Sequence, residues 1–231
     1  MFDTLLNIDW YPFVLSFKLA LITATILFVL ALPLSWYMAT TTSRFKPVLE
    51  AITALPIVLP PSVLGFYLLW TFSSTSVVGE FLQSHFDISL TFSFVGLVVA
   101  SCFYSLPFMV QPLQAGFEGL NPHMIEASYI AGKSKLQTLL FVAMPNIKPS
   151  LLMAFIITFA HTVGEFGVVL MVGGSIPQET KVASVAIYEQ VEVMDYANAH
   201  IYSLAMLLIS FSVLLVVYIF NHRYKTKMGF K

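Results

Sequence analysis

EASYIAGKSKL, residues 126–136, contains Gly132-Lys133-Ser134. Those three residues end the phosphate-binding loop G-x-x-x-x-G-K-[ST]. That loop needs a glycine five residues before Gly132, and Ala127 stands there. It also needs a strand leading in and a helix opening at the lysine, so that backbone N–H groups cradle the phosphates. Asn121-Pro122 leads in instead, an N-cap and a first-turn proline that predict a helix from Pro122. The stretch is not expected to hold a nucleotide, and its job has to be read from the rest of the chain.

The 231 residues are 58% hydrophobic and 10% charged, with a mean hydropathy of +0.85. A soluble domain carries about 25% charge, so this chain cannot clothe a water-facing surface. It reads as an all-α integral membrane protein with a single transmembrane domain. A net charge of −1 offers no basic field for nucleic acid. Cys102 is the one cysteine, which excludes a disulfide within the chain. The opening residues hold acids but no lysine or arginine, so no basic region of a cleaved signal peptide is expected there.

A crossing helix needs about 20 apolar residues. Five segments qualify, about 13–38, 51–72, 90–112, 149–172 and 201–220. Basic residues set the orientation. Arg44, Lys46, Lys133, Lys135, Lys148, Arg223, Lys225, Lys227 and Lys231 fall on one side; only Lys18 and Lys181 fall on the other. The N-terminus is therefore expected outside and the C-terminus in the cytoplasm. Most acids, including Asp3, Asp9, Glu80, Asp87 and the run Glu189–Asp195, then lie outside.

The opening stretch falls in the longest cytoplasmic loop, 113–148. Two short helices are predicted there. The first covers 122–131, and Gly132 is placed to end it in a left-handed turn. The second covers 133–143, with Leu136, Leu139, Leu140 and Val142 on one apolar face. A structured loop of this length is usually functional. It is either an amphipathic connector on the lipid surface or a docking element for a cytoplasmic partner. Taken alone, Glu126 is a surface acid near its helix N-terminus.

Glu126-Ala127-Ser128, then Gly132, then Val142-Ala143-Met144-Pro145 resembles the EAA loop of ABC-importer permeases, E-A-A-x3-G-x9-I-x-L-P. Ser128, Val142 and Met144 depart from that pattern modestly. The resemblance implies that the first short helix couples to a separate ATPase subunit, with Glu126, Ala127, Ser128, Gly132 and Pro145 as coupling residues. ATP would be bound by that partner, and no cofactor by this chain. Further stretches resemble molybdate permeases: Leu55-Pro56-Ile57-Val58-Leu59-Pro60-Pro61-Ser62-Val63-Leu64-Gly65, Phe92-Ser93-Phe94-Val95-Gly96 with Ser105-Leu106-Pro107-Phe108-Met109-Val110, and Gly164-Glu165-Phe166-Gly167 with Ile176-Pro177-Gln178-Glu179-Thr180. His161 stands where these permeases often have arginine, and Gln178 where they often have glycine. Sulfate and tungstate permeases share much of the pattern. The resemblance implies an importer in a bacterial-type inner membrane, with an ATPase subunit dimer inside and a substrate-binding protein outside. The outer loop, about 173–198, would meet that binding protein.

Pro56, Pro60 and Pro61 interrupt the backbone ladder of the second segment, and Pro107 and Pro112 that of the third. Such breaks beside Ser62 either line a path or only kink the helix. Glu165 is the one acid well inside a segment. Two readings stand for it. It accepts hydrogen bonds from N–H groups freed between Gly164 and Gly167, pairing with His161 one turn earlier; or it forms an outer gate. Pro60, Pro61, Ser62, His161, Gly164, Glu165 and Gly167 are the candidate path or gate residues. The five histidines scatter, so no metal set is expected. Five segments are too few to enclose a dianion path, so a homodimer is expected. A secondary transporter is the alternative class, but it calls for an internal repeat that is not visible.

Overall fold

A computed structural model describes residues 8–227, with side-chain surroundings through residue 219. Asp3 and Lys231, two charges in the orientation argument, lie outside the described residues. So do the side chains of Arg223, Lys225 and Lys227. Every regular element among the described residues is helical.

The centre is built from α1 (Tyr11–Thr40), α5 (Phe94–Glu118) and α8 (Lys148–Val163). At 1.5 Å per residue the 30 residues of α1 reach about 45 Å, more than a bilayer core. Pro12 opens α1, and Ser93 caps α5 by accepting from the Gly96 amide at 3.1 Å. The fully buried faces carry small residues: Ala20, Ala24 and Ala31 on α1, Ala100 on α5 and Ala154 on α8. Small side chains let helix backbones approach where lipid offers no hydrophobic drive. Ser35 donates across to the Val110 carbonyl at 3.2 Å, tying α1 to α5.

The second segment is no straight crossing. It divides into α2 (Lys46–Val58) and α3 (Pro61–Phe72), bent by 109°. The cause is local. Leu59 and Pro60 each precede a proline, which pushes both out of the helical region; their ψ values are 133° and 137°. Each half spans about 20 Å, short of a roughly 30 Å hydrocarbon core.

Outside this centre come α4 (Val77–Phe86), α6 (Pro122–Ile130) and α7 (Lys135–Asn146), the last with a π-helical turn at Leu139–Ala143. Then follow α9 (Gly167–Gly173), α10 (Ala183–Glu192) and α11 (Tyr196–Lys227). Among the described residues, α1, α5 and α11 are each long and apolar enough to cross a membrane. The number rises to five if the bent pairs α2–α3 and α7–α8 each count as one. The expected fourth segment, 149–172, is interrupted: α8 stops at Val163 and the chain resumes helically only at Gly167.

Two contacts join the broken segments. A Cβ on Gly65 of α3 would sit 2.9 Å from the Met171 Cβ of α9. A Cβ on Gly167 would sit 2.8 Å from the Pro61 Cβ. Glycine at both positions lets α3 and α9 touch. By contrast α11 rests on the periphery, packing Ile201, Tyr202 and Ile209 near Phe13 and exposing Leu207, Leu208 and Phe211.

Candidate functional site: a corner between two short helices and a joint inside the bundle

The corner between α6 and α7 explains the opening stretch. Asn121 caps α6, its Oδ1 accepting from the His123 amide at 3.0 Å. Gly132 ends the helix with φ +79°. The Lys133 amide donates to the Ser128 carbonyl at 3.1 Å and the Gly132 amide to the Tyr129 carbonyl at 2.9 Å. That pair of bonds is a Schellman stop. Ser134 then starts α7 with a complete capping box, Ser134 and Gln137 each accepting the other's backbone N–H. The apparent phosphate-loop residues are thus a helix stop and a helix start set back to back. The buried hydroxyls of Ser128 and Thr138 meet at 2.8 Å and pin the two helices.

Of the coupling candidates, Ser128 is buried, while Glu126, Ala127, Gly132 and Pro145 face outward. Glu126 accepts from His123 Nδ1 at 3.2 Å and remains 66% exposed. Ile130 beside it is 88% exposed. Glu126 and Tyr129 border a cleft of about 630 Å³ that runs to Trp36, Phe117 and Leu136.

The expected apolar face of α7 is corrected. Leu139 is buried, but Leu136 and Leu140 are exposed and Val142 only half-buried. The π turn bonds the Met144 amide to the Leu139 carbonyl, five residues back, which shifts the phase of the face. Leu139, Ala143 and Ile147, four apart, are buried instead. Pro145 has no N–H to continue an α ladder. Asn146 Nδ2 reaches the Val142 carbonyl at 2.7 Å.

The joint lies where α8 gives way to α9. His161 does not pair with Glu165. Its Nδ1 meets the Ser105 hydroxyl at 3.0 Å, and that hydroxyl meets the Thr162 hydroxyl at 2.8 Å. The ring stacks on Phe108 at 3.8 Å and tilts against Tyr104 at 4.8 Å. The i, i+4 geometry fails because the helix has ended before Glu165. Nor does the Glu165 carboxylate accept from the freed N–H groups. It is 3% exposed, and neither oxygen has a hydrogen-bond partner among the described residues. The Ser101 hydroxyl faces it without hydrogen-bond geometry. The backbone of Glu165 is held instead: its N–H donates to the Thr162 carbonyl at 3.3 Å, and its carbonyl accepts from Ser184 Oγ at 2.7 Å.

Among the path candidates, Pro61 and Gly167 are brought together. Gly164 is the C-cap of α8 and Pro60 the N-cap of α3. Ser62 is exposed and makes no side-chain hydrogen bond among the described residues. Sequence reasoning missed Ser105, Tyr104, Phe108 and Ser184. Only Ser105-Leu106-Pro107-Phe108 carried a signal, as part of the third-segment pattern. It also missed a tie between α2 and α5: Lys46 reaches Glu118 at 2.8 Å, and Gln114 donates to Glu50 at 2.6 Å and to Glu118 at 3.0 Å. In the loop at about 173–198, Lys181 and Ser175 both engage Glu189, and the Ala183 amide donates to Ser16 Oγ at 2.8 Å.

Residues 31–228 match the family model described as "Binding-protein-dependent transport system inner membrane component". The chain belongs to this family. The permease is 46% identical over 204 residues to the molybdenum transport system permease protein ModB of Azotobacter vinelandii, covering 88% of this chain and 90% of that one. It is 33% identical over 189 residues to the sulfate transport system permease protein CysT of Salmonella typhimurium, covering 80% of this chain and 68% of that one. In structure it is similar to a chain of a bacterial ABC transporter that imports the acidic polysaccharide alginate. The TM-score is 0.80 at 16% identity, over 96% of this chain and 82% of that one. It is also similar to a chain of the MetNI methionine ABC transporter in inward-facing form, with a TM-score of 0.69 at 16% identity, over 90% and 92% of the two chains. At such identities the structural likeness concerns the fold alone. The permease is an inner membrane component, a translocation subunit rather than an enzyme, and the matched region holds both corner and joint.

Proposed function

We propose that the permease passes molybdate inward by alternating access, as a homodimer driven by ATP hydrolysis on a separate pair of cytoplasmic subunits. The observation that carries this is the 46% identity to a molybdenum permease along 88% of the chain. The sulfate permease CysT at 33% supports a second reading, a sulfate importer of the same class, and tungstate shares the anion chemistry. The N-terminus lies outside and the C-terminus inside. The exposed edge of α6, with Glu126 and Ile130, docks the ATPase subunit. A binding protein delivers the anion to the outer loop, by analogy with a structurally similar alginate ABC transporter that is in complex with an alginate-bound periplasmic protein.

The test is ATP hydrolysis by a reconstituted complex. The permease and its cognate ATPase subunit are placed in liposomes, and the binding protein is added with molybdate, tungstate, sulfate or no anion. Molybdate-loaded protein is expected to stimulate hydrolysis several-fold over anion-free protein. Equal stimulation by sulfate would move the reading to a sulfate importer, and failure to bind an ATPase subunit would overturn it. Glu126→Lys is expected to weaken ATPase-subunit binding about tenfold, roughly 1.4 kcal/mol. Unchanged affinity in a pull-down titration would remove Glu126 from the docking edge.

A further inference from the structure

The hydrogen bonds around His161 have a direction. Thr162 Oγ1 lies 2.9 Å from the Thr158 carbonyl, which only accepts, so the threonine proton is committed there. The Ser105 hydroxyl, 2.8 Å from Thr162 Oγ1, must then be the donor in that contact. Its proton used, Ser105 Oγ can only accept from His161 Nδ1 at 3.0 Å. A flipped ring would set a carbon against Ser105, and stacking on Phe108 at 3.8 Å holds the plane. Neutral His161 therefore carries its single proton on Nδ1, and Nε2 is a bare acceptor.

That Nε2 has no hydrogen-bond partner among the described residues and is not among their sealed polar atoms. The half-buried ring leans on Tyr104, which packs against the cluster that holds Leu68 and Phe72 of α3. The ring is thus on the side of α5 and α8 that borders the bent second segment. Two ionisable groups stand close by. Tyr104 touches the ring, and Glu165 follows one turn later with its carboxyl turned into the interior toward Ser101. Cys102 lies elsewhere on α5, packed among apolar residues of α1 and α9. The α1 helix carries no ionisable residue between Lys18, whose amine lies over the Phe94 ring, and Tyr37. The α2–α3 segment carries none between Glu50 and Tyr67.

We propose that His161 is a polar contact for the oxyanion on its path, and that it engages the anion only after taking a second proton at Nε2. This rests on the oxyanion reading above. A bare nitrogen lone pair repels a dianion; an N–H⁺ donates to it and carries opposite charge. The proton comes from water on the open side, bonds to Nε2 as the anion arrives, and returns to water when the anion leaves. Ser105 keeps its acceptor role throughout, because Nδ1–H is present in both forms. A permanent cation at this depth would be expensive in the empty protein. A histidine held in this tautomer is neutral when alone and cationic only when paired.

The test is anion uptake by liposomes holding the permease with its ATPase subunit and loaded binding protein. The readout is the ratio of uptake at about pH 8.5 to that at about pH 6, because protonating the ring costs more as the pH rises. Wild type is expected to lose about tenfold more uptake over this range than His161→Arg, which is always charged. His161→Gln, whose amide always donates, is expected to be equally flat. Ser105→Ala frees the neutral ring to move its one proton to Nε2, so it too should hold its uptake at the alkaline end. Superimposable ratios for wild type and the variants would overturn the proposal while leaving the oxyanion reading in place. Absence of oxyanion uptake by wild type at either pH would overturn both.

Discussion

The chain interrupts its helices at two informative places, and it treats polar atoms oppositely there. At the corner around Gly132 the backbone groups are met in order: a Schellman pair closes α6, and a capping box opens α7. At the joint around Glu165 two buried carboxylate oxygens and the Ser101 hydroxyl have no partner among the described residues. A satisfied turn is stiff, and stiffness suits the docking role proposed for α6. A buried group without a partner costs about 1–3 kcal/mol, so the joint is held below its most stable arrangement. Such strain is expected where a structure must leave one conformation for another.

The largest expected effect tests the joint. Glu165→Leu should raise thermal stability by about 1–4 kcal/mol, since an apolar side chain replaces an unmatched polar one. Anion uptake should fall about tenfold or more, equivalent to about 1.4 kcal/mol on the slow step. Unfolding in detergent and uptake in liposomes read the two sides. A lower unfolding temperature would mean that a partner holds the carboxyl, and the contrast would collapse.

At the corner, Gly132→Val should cost about 1–3 kcal/mol of local stability through backbone strain. Steric clash plays no part, because a Cβ there would meet nothing within 4 Å. Gly132→Asn should recover most of the loss, since asparagine tolerates the left-handed region. Amide exchange across α6 and α7 measures both; equal protection in the two variants would show that the turn is not set by φ. The smallest effect is expected for Ser134→Ala, about 1 kcal/mol from the lost cap. It should speed exchange in the first turn of α7 alone, and faster exchange throughout α6 would mean that the corner melts as one unit.

The corner was legible because its determinants are local. Asn121-Pro122 and Gly132 each act within four residues and do what their types predict, whereas the second helix, expected from residue 133, starts at Lys135 behind the cap Ser134. The bend in the second segment was partly legible: consecutive prolines announce a break, but proline spacing carries neither its 109° angle nor the contact of α3 with α9. The joint was not legible. The i, i+4 pairing of His161 with Glu165 presumes a continuous helix, while the actual partners, Ser105 and Ser184, lie on other elements. The phase of α7 was misread because a π turn depends on how Pro145 and Asn146 divide the backbone bonds, which apolar spacing does not record.

The contact of Gly65 with Met171, and of Gly167 with Pro61, has a mechanical consequence. Two short helices from separate parts of the chain are latched side by side, each hung from its own break. They form one leaf on two hinge pins, at Pro60 and at Gly164. Swinging one helix alone would tear the latch, so a movement of either is expected to carry both. Ser184, bonded to the Glu165 carbonyl beside one pin, ties α10 to that leaf.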